Sequence, residues 1–235
     1  MSLKISISGI RGVVGEDLDA EVVGRFAAAF GNWLPPGELV VARDSRPSGP
    51  MLMRAVEAGL MSTGHGVVHA GILSTPGTEY LVQTTDAVGG VIVTASHNPV
   101  QWNALKLLRG DGLFLEAAEM DEIVRRTQAP RRHVDALHQG GWREDPDGDE
   151  RHLEAILGLD LVDVAAVRAA GLKVVVDAVE GAGGWVVPEL ARRLGCEVVE
   201  LHCRRSGLFP HDPEPRADHL GELRERVAAE GADLG

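Results

Sequence analysis

The segment Thr94-Ala95-Ser96-His97-Asn98-Pro99 gathers side chains able to do chemistry. It follows the apolar run Val91–Thr94, a strand candidate, and closes on Asn-Pro, a turn signal. In open α/β sheets, ligands sit outside the carboxyl ends of the strands. A serine hydroxyl placed there can carry a transferable group, and His97 beside it can donate to an anion. Lys106 follows within Asn103-Ala104-Leu105-Lys106; it is one of three lysines against 20 arginines. The plainer reading is a polar turn that Asn98 starts and in which Ser96 bonds its own backbone.

Two further clusters suit anions. In Ser8-Gly9-Ile10-Arg11-Gly12, glycines let the backbone approach a ligand while the Arg11 guanidinium grips phosphate or carboxylate. The alternative is a Gly-rich turn with a solvated arginine. In Arg43-Asp44-Ser45-Arg46-Pro47-Ser48-Gly49, Ser48 is placed to cap the next helix, whose N-terminus would favour an anion. Capping alone also explains Ser48 and Pro50.

Other patterns fail on spacing. Gly181-Ala182-Gly183-Gly184 has Val186 where a dinucleotide loop needs its third glycine. Asp145, Asp147 and Asp149 mimic the start of a calcium loop, but Glu150 and Ile156 occupy the required Gly and Glu positions. Cys196, His202, Cys203 and His211 match no zinc spacing. Arg109-Gly110-Asp111-Gly112 reads as a tight turn between two strands.

Alternating elements must position these groups. Leu39–Ala42 and Gly66–Ala70 read as strands, separated by a helix with apolar Leu52, Val56 and Leu60. Val22, Val23, Phe26, Ala27 and Phe30 line one face of an earlier helix. Strands separated by helices predict a parallel or mixed sheet with helices on both faces. Gln128–Asp149 breaks the rhythm with Pro130, Arg131-Arg132, Gly140-Gly141 and an acidic stretch. It reads as a connector in which a hairpin could hide, leading to a helix near Glu150–Leu157. A second strand–helix–strand unit, Val174–Val176 to Gly195–Glu200, mirrors the first, with Asp177 in the place of Asp44. Leu220, Leu223 and Val227 mark a last helix. Ala232–Leu234 reads as a strand just beginning, so the sequence is expected to be a fragment.

Of the 235 residues, 44% are hydrophobic and 25% charged, as in a globular protein. A net charge of −12 argues against nucleic acid and anionic membranes as partners, since both need a basic face. The two cysteines form no CxxC pair and suggest a reduced, cytoplasmic protein. No signal peptide or membrane span is read.

Taken together, these motifs resemble the α-D-phosphohexomutases: phosphoglucomutase, phosphomannomutase and phosphoglucosamine mutase. Thr94–Pro99 is similar to that family's phosphoserine loop, and Gly9-Ile10-Arg11-Gly12 to its N-terminal motif. Arg43–Arg46, Thr75-Pro76 and Phe209–Pro215 also fall in order. Ala104 stands where the family usually has glycine, while Asn103 and Lys106 remain. The resemblance implies three-layer α/β/α domains with mixed sheets: domain 1 over residues 1–148 and most of domain 2 over 149–235. It implies interconversion of hexose 1- and 6-phosphates through phosphoserine at Ser96 and a bisphosphate intermediate. Ser96, Lys106, Arg11 and His97 would be catalytic, and Arg46, Asn98 and Asn103 would bind substrate or phosphate. Mg²⁺ would bridge the Ser96 phosphate and aspartates expected beyond Gly235, where the sugar-reading parts would also lie. The piece alone is expected to be inactive. The competing expectation is a stand-alone phosphosugar-binding or regulatory module.

Overall fold

A computed structural model describes residues 3–130 and 132–235, so Arg131 of the basic pair lies outside the described residues. The chain forms two compact units. Unit 1 comprises Met1–Asp44, Ser48–Ser96 and Gln101–Gly148; unit 2 comprises Ser45–Pro47, His97–Val100 and Asp149–Gly235.

Unit 1 is built on seven strands: β1 (Lys4–Ser6), β2 (Gly9–Val13), β3 (Glu38–Arg43), β4 (Gly66–Ile72), β5 (Gly89–Val93), β6 (Trp102–Arg109) and β7 (Trp142–Glu144). They lie in the order β1-β2-β6-β5-β3-β4-β7. The sheet is mixed. β3 is parallel to both β4 and β5, β7 is parallel to β4, and β6 is antiparallel to β5 and β2. The β3 and β5 valines are at most 1% exposed, which explains their unbroken apolar runs.

Four helices complete the unit: α1 (Ala20–Gly31), α2 (Gly49–Met61), α3 (Thr75–Gln83) and α4 (Ala117–Thr127). Apolar residues of α1, α2 and α4 pack with Ile10, Val93 and Leu105 on one sheet face. Leu81 and Val82 of α3 pack with Ala42 and Ile92 on the other. Local chemistry sets the helix starts. Asp19 accepts from Val22 N at 2.8 Å, and Ser74 accepts from Gly77 N at 3.1 Å, ahead of Pro76.

In unit 2, β8 (Lys173–Asp177) and β9 (Glu197–Leu201) pair in parallel. The remaining helices are α5 (Gly148–Leu157), which runs into this unit, α6 (Val164–Ala170), α7 (Gly183–Arg193) and α8 (Gly221–Glu230). Leu234 adds a single parallel bridge to Val174, where a beginning strand is expected.

Several expectations change. The Ser8–Gly12 cluster is mostly strand β2 rather than a turn, because Gly9 begins an antiparallel pairing with β1 and β2 continues against β6. The connector contributes β7, which adds to β4 in parallel and makes no hairpin. Ser48 makes no side-chain cap on α2; its hydroxyl accepts from Asn103 Nδ2 at 2.9 Å instead. The Arg109–Gly112 turn is present, closed by Gly112 N donating to Arg109 O at 3.0 Å. The strand beyond it is reduced to one bridge, Leu108 to Phe114.

Candidate functional site

Side chains alternate across a strand, and directly paired residues share a face. Arg11 pairs with Ala104, and Lys106 lies two residues on from Ala104 opposite Ile92. Arg11 and Lys106 therefore project from the same sheet face, the one that α3 covers. Thr94 N donates to Ala104 O at 3.0 Å, and Asp44 N to Val93 O at 3.0 Å. Arg11, Ala104, Thr94 and Asp44 thus form a row across β2, β6, β5 and β3 at the carboxyl ends of β3 and β5.

Ser96 stands just past this row, exposed, with φ 56°. That left-handed backbone is uncommon for a residue with a side chain. Thr94 supports it by accepting from Ser96 N at 3.1 Å while donating to Asp44 Oδ2 at 2.6 Å.

Lys106 is partly buried, and that burial lowers its pKa below the ordinary lysine value. The charges of Glu79 and Asp44 pull the other way. Burial in turn raises the Glu79 pKa, opposed by Lys106. The ammonium also sits 5.5 Å from the Phe114 ring centroid. Desolvation enlarges the neutral fraction of Lys106, the form able to take a proton.

Two predicted ligand-binding residues are placed differently. Asn103 is 0% exposed; it donates to Ser48 and its Oδ1 accepts from Ala104 N at 2.8 Å. It tethers β6 to the start of α2. Arg46 is also 0% exposed and lies in unit 2. Its guanidinium donates to Asn98 O at 2.6 Å and Pro99 O at 2.7 Å and sits 4.9 Å from the Phe209 ring centroid. Arg46 therefore holds the backbone just after the serine loop's turn. His97 is exposed and Asn98 half-buried, both within unit 2.

Sequence reasoning does not assign roles to Thr94 Oγ1 or Glu79, and names Phe209 only as part of a motif. Thr94 carries a signal as the first polar residue after an apolar strand, and Asp44 follows Arg43 just past another. Glu79 carries none, because its helix, α3, is not read at all.

Mg²⁺ is implied by the family resemblance. Among the described residues, no group of three or more His, Cys, Asp or Glu side chains could hold a metal ion.

Residues 3–133 match the model of "Phosphoglucomutase/phosphomannomutase, alpha/beta/alpha domain I", and residues 150–235 match that of domain II. The chain belongs to the phosphoglucomutase/phosphomannomutase family. It is 36% identical over 231 residues to a probable phosphoglucosamine mutase of Methanocella arvoryzae, covering 97% of this chain and 50% of that protein. It is 37% identical to a phosphoglucomutase/phosphomannomutase of Thermococcus kodakarensis, covering 97% and 51%. A crystal structure of a family protein from Burkholderia thailandensis matches with TM-score 0.83 at 30% identity, covering 97% of this chain and 52% of that one. The chain spans about half the length of the curated relatives it matches. Among the described residues, no helix is long and apolar enough to cross a membrane.

Proposed function

We propose that Ser96 carries a phosphoryl group in a phosphohexomutase reaction. Phosphorylated Ser96 passes its phosphoryl group to a free hydroxyl of a hexose 1- or 6-phosphate. The bond from phosphorus to Ser96 Oγ breaks as the bond to the sugar oxygen forms, and the hydroxyl proton moves to neutral Lys106 Nζ. The resulting bisphosphate turns around and returns its other phosphoryl group to Ser96, and Lys106 gives the proton back to the sugar oxygen. Phosphoryl transfer is mainly positioning and charge neutralisation. Arg11 and His97 are assigned to the phosphate oxygens, and Asn98 to holding the turn they act across.

The observation that carries this reading is the exposed, left-handed Ser96 at the carboxyl end of β5, in a chain of this family. The shared face of Arg11 and Lys106 supports it.

The competing reading is a phosphosugar-binding module without turnover. Peptide mapping of the protein after incubation with a hexose 1,6-bisphosphate tests the first. Phosphate on Ser96 is expected. Phosphate on another serine, with Ser96 unmodified, refutes the assignment.

A further inference from the structure

The protein has a net charge of −12, yet four arginines line one cleft of about 290 Å³ in unit 1. The cleft lies between the carboxyl-terminal ends of α1 and α4 and the segment that follows α4. Ala28 and Ala29 form a floor of small side chains, leaving room above the helix backbone. Arg25 comes from α1, Arg125 and Arg126 from α4, and Arg132 from the following segment.

The walls are fixed. Arg126 donates through Nη1 to Asn32 O at 2.6 Å and through Nε to Glu122 Oε1 at 2.6 Å. Asn32 Nδ2 donates to Arg132 O at 3.0 Å, which holds that segment against the end of α1. Glu122 also takes two bonds from Arg125, so one carboxylate serves two guanidiniums.

Among the described residues, neither Arg25 nor Arg132 has a carboxylate partner, and Arg25 Nε is buried without a hydrogen bond. Two helix C-termini face this region, and their partial negative charge attracts cations. That accounts for arginines in the last turn of α4. It does not account for a buried, unpaired Arg25 nitrogen, since such groups are normally satisfied. Four guanidiniums against Glu122 and two helix C-termini of about half a negative charge each leave an excess of about two positive charges.

We propose that this cleft binds a compact, multiply charged phosphate anion, of the size and charge of a diphosphate group. Guanidinium groups bind phosphate oxygens through parallel N–H donors, and several arginines suit several oxygens. The site is separate from the serine loop. α1 and α4 cover the sheet face of Ile10 and Leu105, whereas Arg11 and Lys106 project from the other face. It therefore gives unit 1 an ancillary anion site that does not depend on the mutase reading.

Sodium pyrophosphate is the probe. The 235-residue chain is titrated by calorimetry at low salt, with amide chemical shifts followed in parallel. Saturable binding is expected, with shifts on Arg25–Asn32 and Arg125–Arg132. Arg25→Gln combined with Arg132→Gln should weaken it about tenfold or more, through loss of two charge-assisted donors. Arg25→Lys, which keeps the charge, controls for packing and should lose less. Absence of saturable binding, shifts confined to the Ser96 loop, or equal affinity in the double variant would each overturn the proposal.

Discussion

Thr94 Oγ1 bridges the ends of two strands, donating to Asp44 Oδ2 at 2.6 Å and accepting from Ser96 N at 3.1 Å. Thr94 is 5% exposed, so the bridge is shielded from water. Left-handed residues with side chains persist where their surroundings over-determine them. This one hydroxyl is such a determinant: it fixes the serine amide relative to β3.

Replacing it tests the relationship. Thr94→Val keeps the side-chain shape but removes the hydroxyl that donates to Asp44 Oδ2 and accepts from Ser96 N. Unit 1 should lose about 1–3 kcal/mol, the net worth of two hydrogen bonds at about 0.5–1.5 kcal/mol each. Urea unfolding reads the loss, and hydrogen exchange at Ser96 should speed up. An unchanged midpoint together with unchanged exchange would show that the bridge holds nothing.

Lys106 makes a pH prediction. Burial lowers its pKa in the folded state. For a depressed pKa, the unfolded chain binds more protons between the folded and unfolded values, so stability rises with pH across that window. The contribution is complete above the unfolded lysine pKa and is lost as pH falls through the folded one. Lys106→Met should remove this alkaline slope. With only three lysines in the chain, carbon-13 methyl labelling resolves each of them by NMR. Glu79→Gln deletes a charge that favours the ammonium, so the Lys106 titration should move to lower pH. Movement upward would mean that Glu79 does not face it.

Much of this framework was legible in the sequence. β3, β4 and β5 announce themselves because a sheet covered on both faces needs unbroken apolar runs, such as Leu39–Ala42. The serine loop is legible for a related reason: polar residues begin where burial ends. β6 is legible only as the strand entering the Arg109–Gly112 turn, because Asn103 and Lys106 interrupt its apolar pattern. One is buried by a side-chain bond to Ser48, the other half-buried beside acidic partners. Arg46 is legible only through its motif: the folded chain alone brings it the carbonyls of Asn98 and Pro99 and the ring of Phe209.

His211 gives unit 2 a pH dependence of opposite sign. Burial pushes its pKa down, but the Asp212 carbonyl and the Asp177 carboxylate outweigh burial and raise it overall. Its Nε2 lies 2.9 Å from Asp177 Oδ2. A raised pKa contributes stability in full below the unfolded histidine value, and that contribution fades as pH rises through the folded one. Amides around Asp177 and His211 should therefore exchange faster above the folded pKa than below the unfolded one, after correction for intrinsic rates. His211→Gln should flatten the difference. If the wild-type profile is already flat, the pair contributes nothing.

Gly207 sits where no larger residue fits. Its φ is +72°, and an added Cβ would meet Ser45 O at 2.1 Å, within unit 2. Its amide donates to Glu180 O, which also accepts from Ser45 Oγ at 2.8 Å. Gly207→Ala must strain the backbone and part this contact, at a cost of about 1–3 kcal/mol. Calorimetric melting should show the loss in unit 2. Wild-type stability would mean that Ser45 can retreat freely.

The last prediction concerns turnover. The chain supplies a serine at a strand end and a desolvated lysine, but it spans about half the length of its curated relatives. Its described side chains form no cluster able to hold a metal ion. Removing a single electrostatic stabiliser commonly lowers an enzyme's rate by about 10²–10³. We therefore expect the 235-residue chain, assayed alone with hexose 1-phosphate in a coupled assay, to show no measurable conversion. A family enzyme of full length carrying this segment should turn over, and Ser96→Ala within it should abolish turnover while leaving the melting temperature in place. Conversion by the 235-residue chain alone would show that two domains suffice for the reaction. Full activity of the Ser96→Ala enzyme would remove Ser96 from the mechanism.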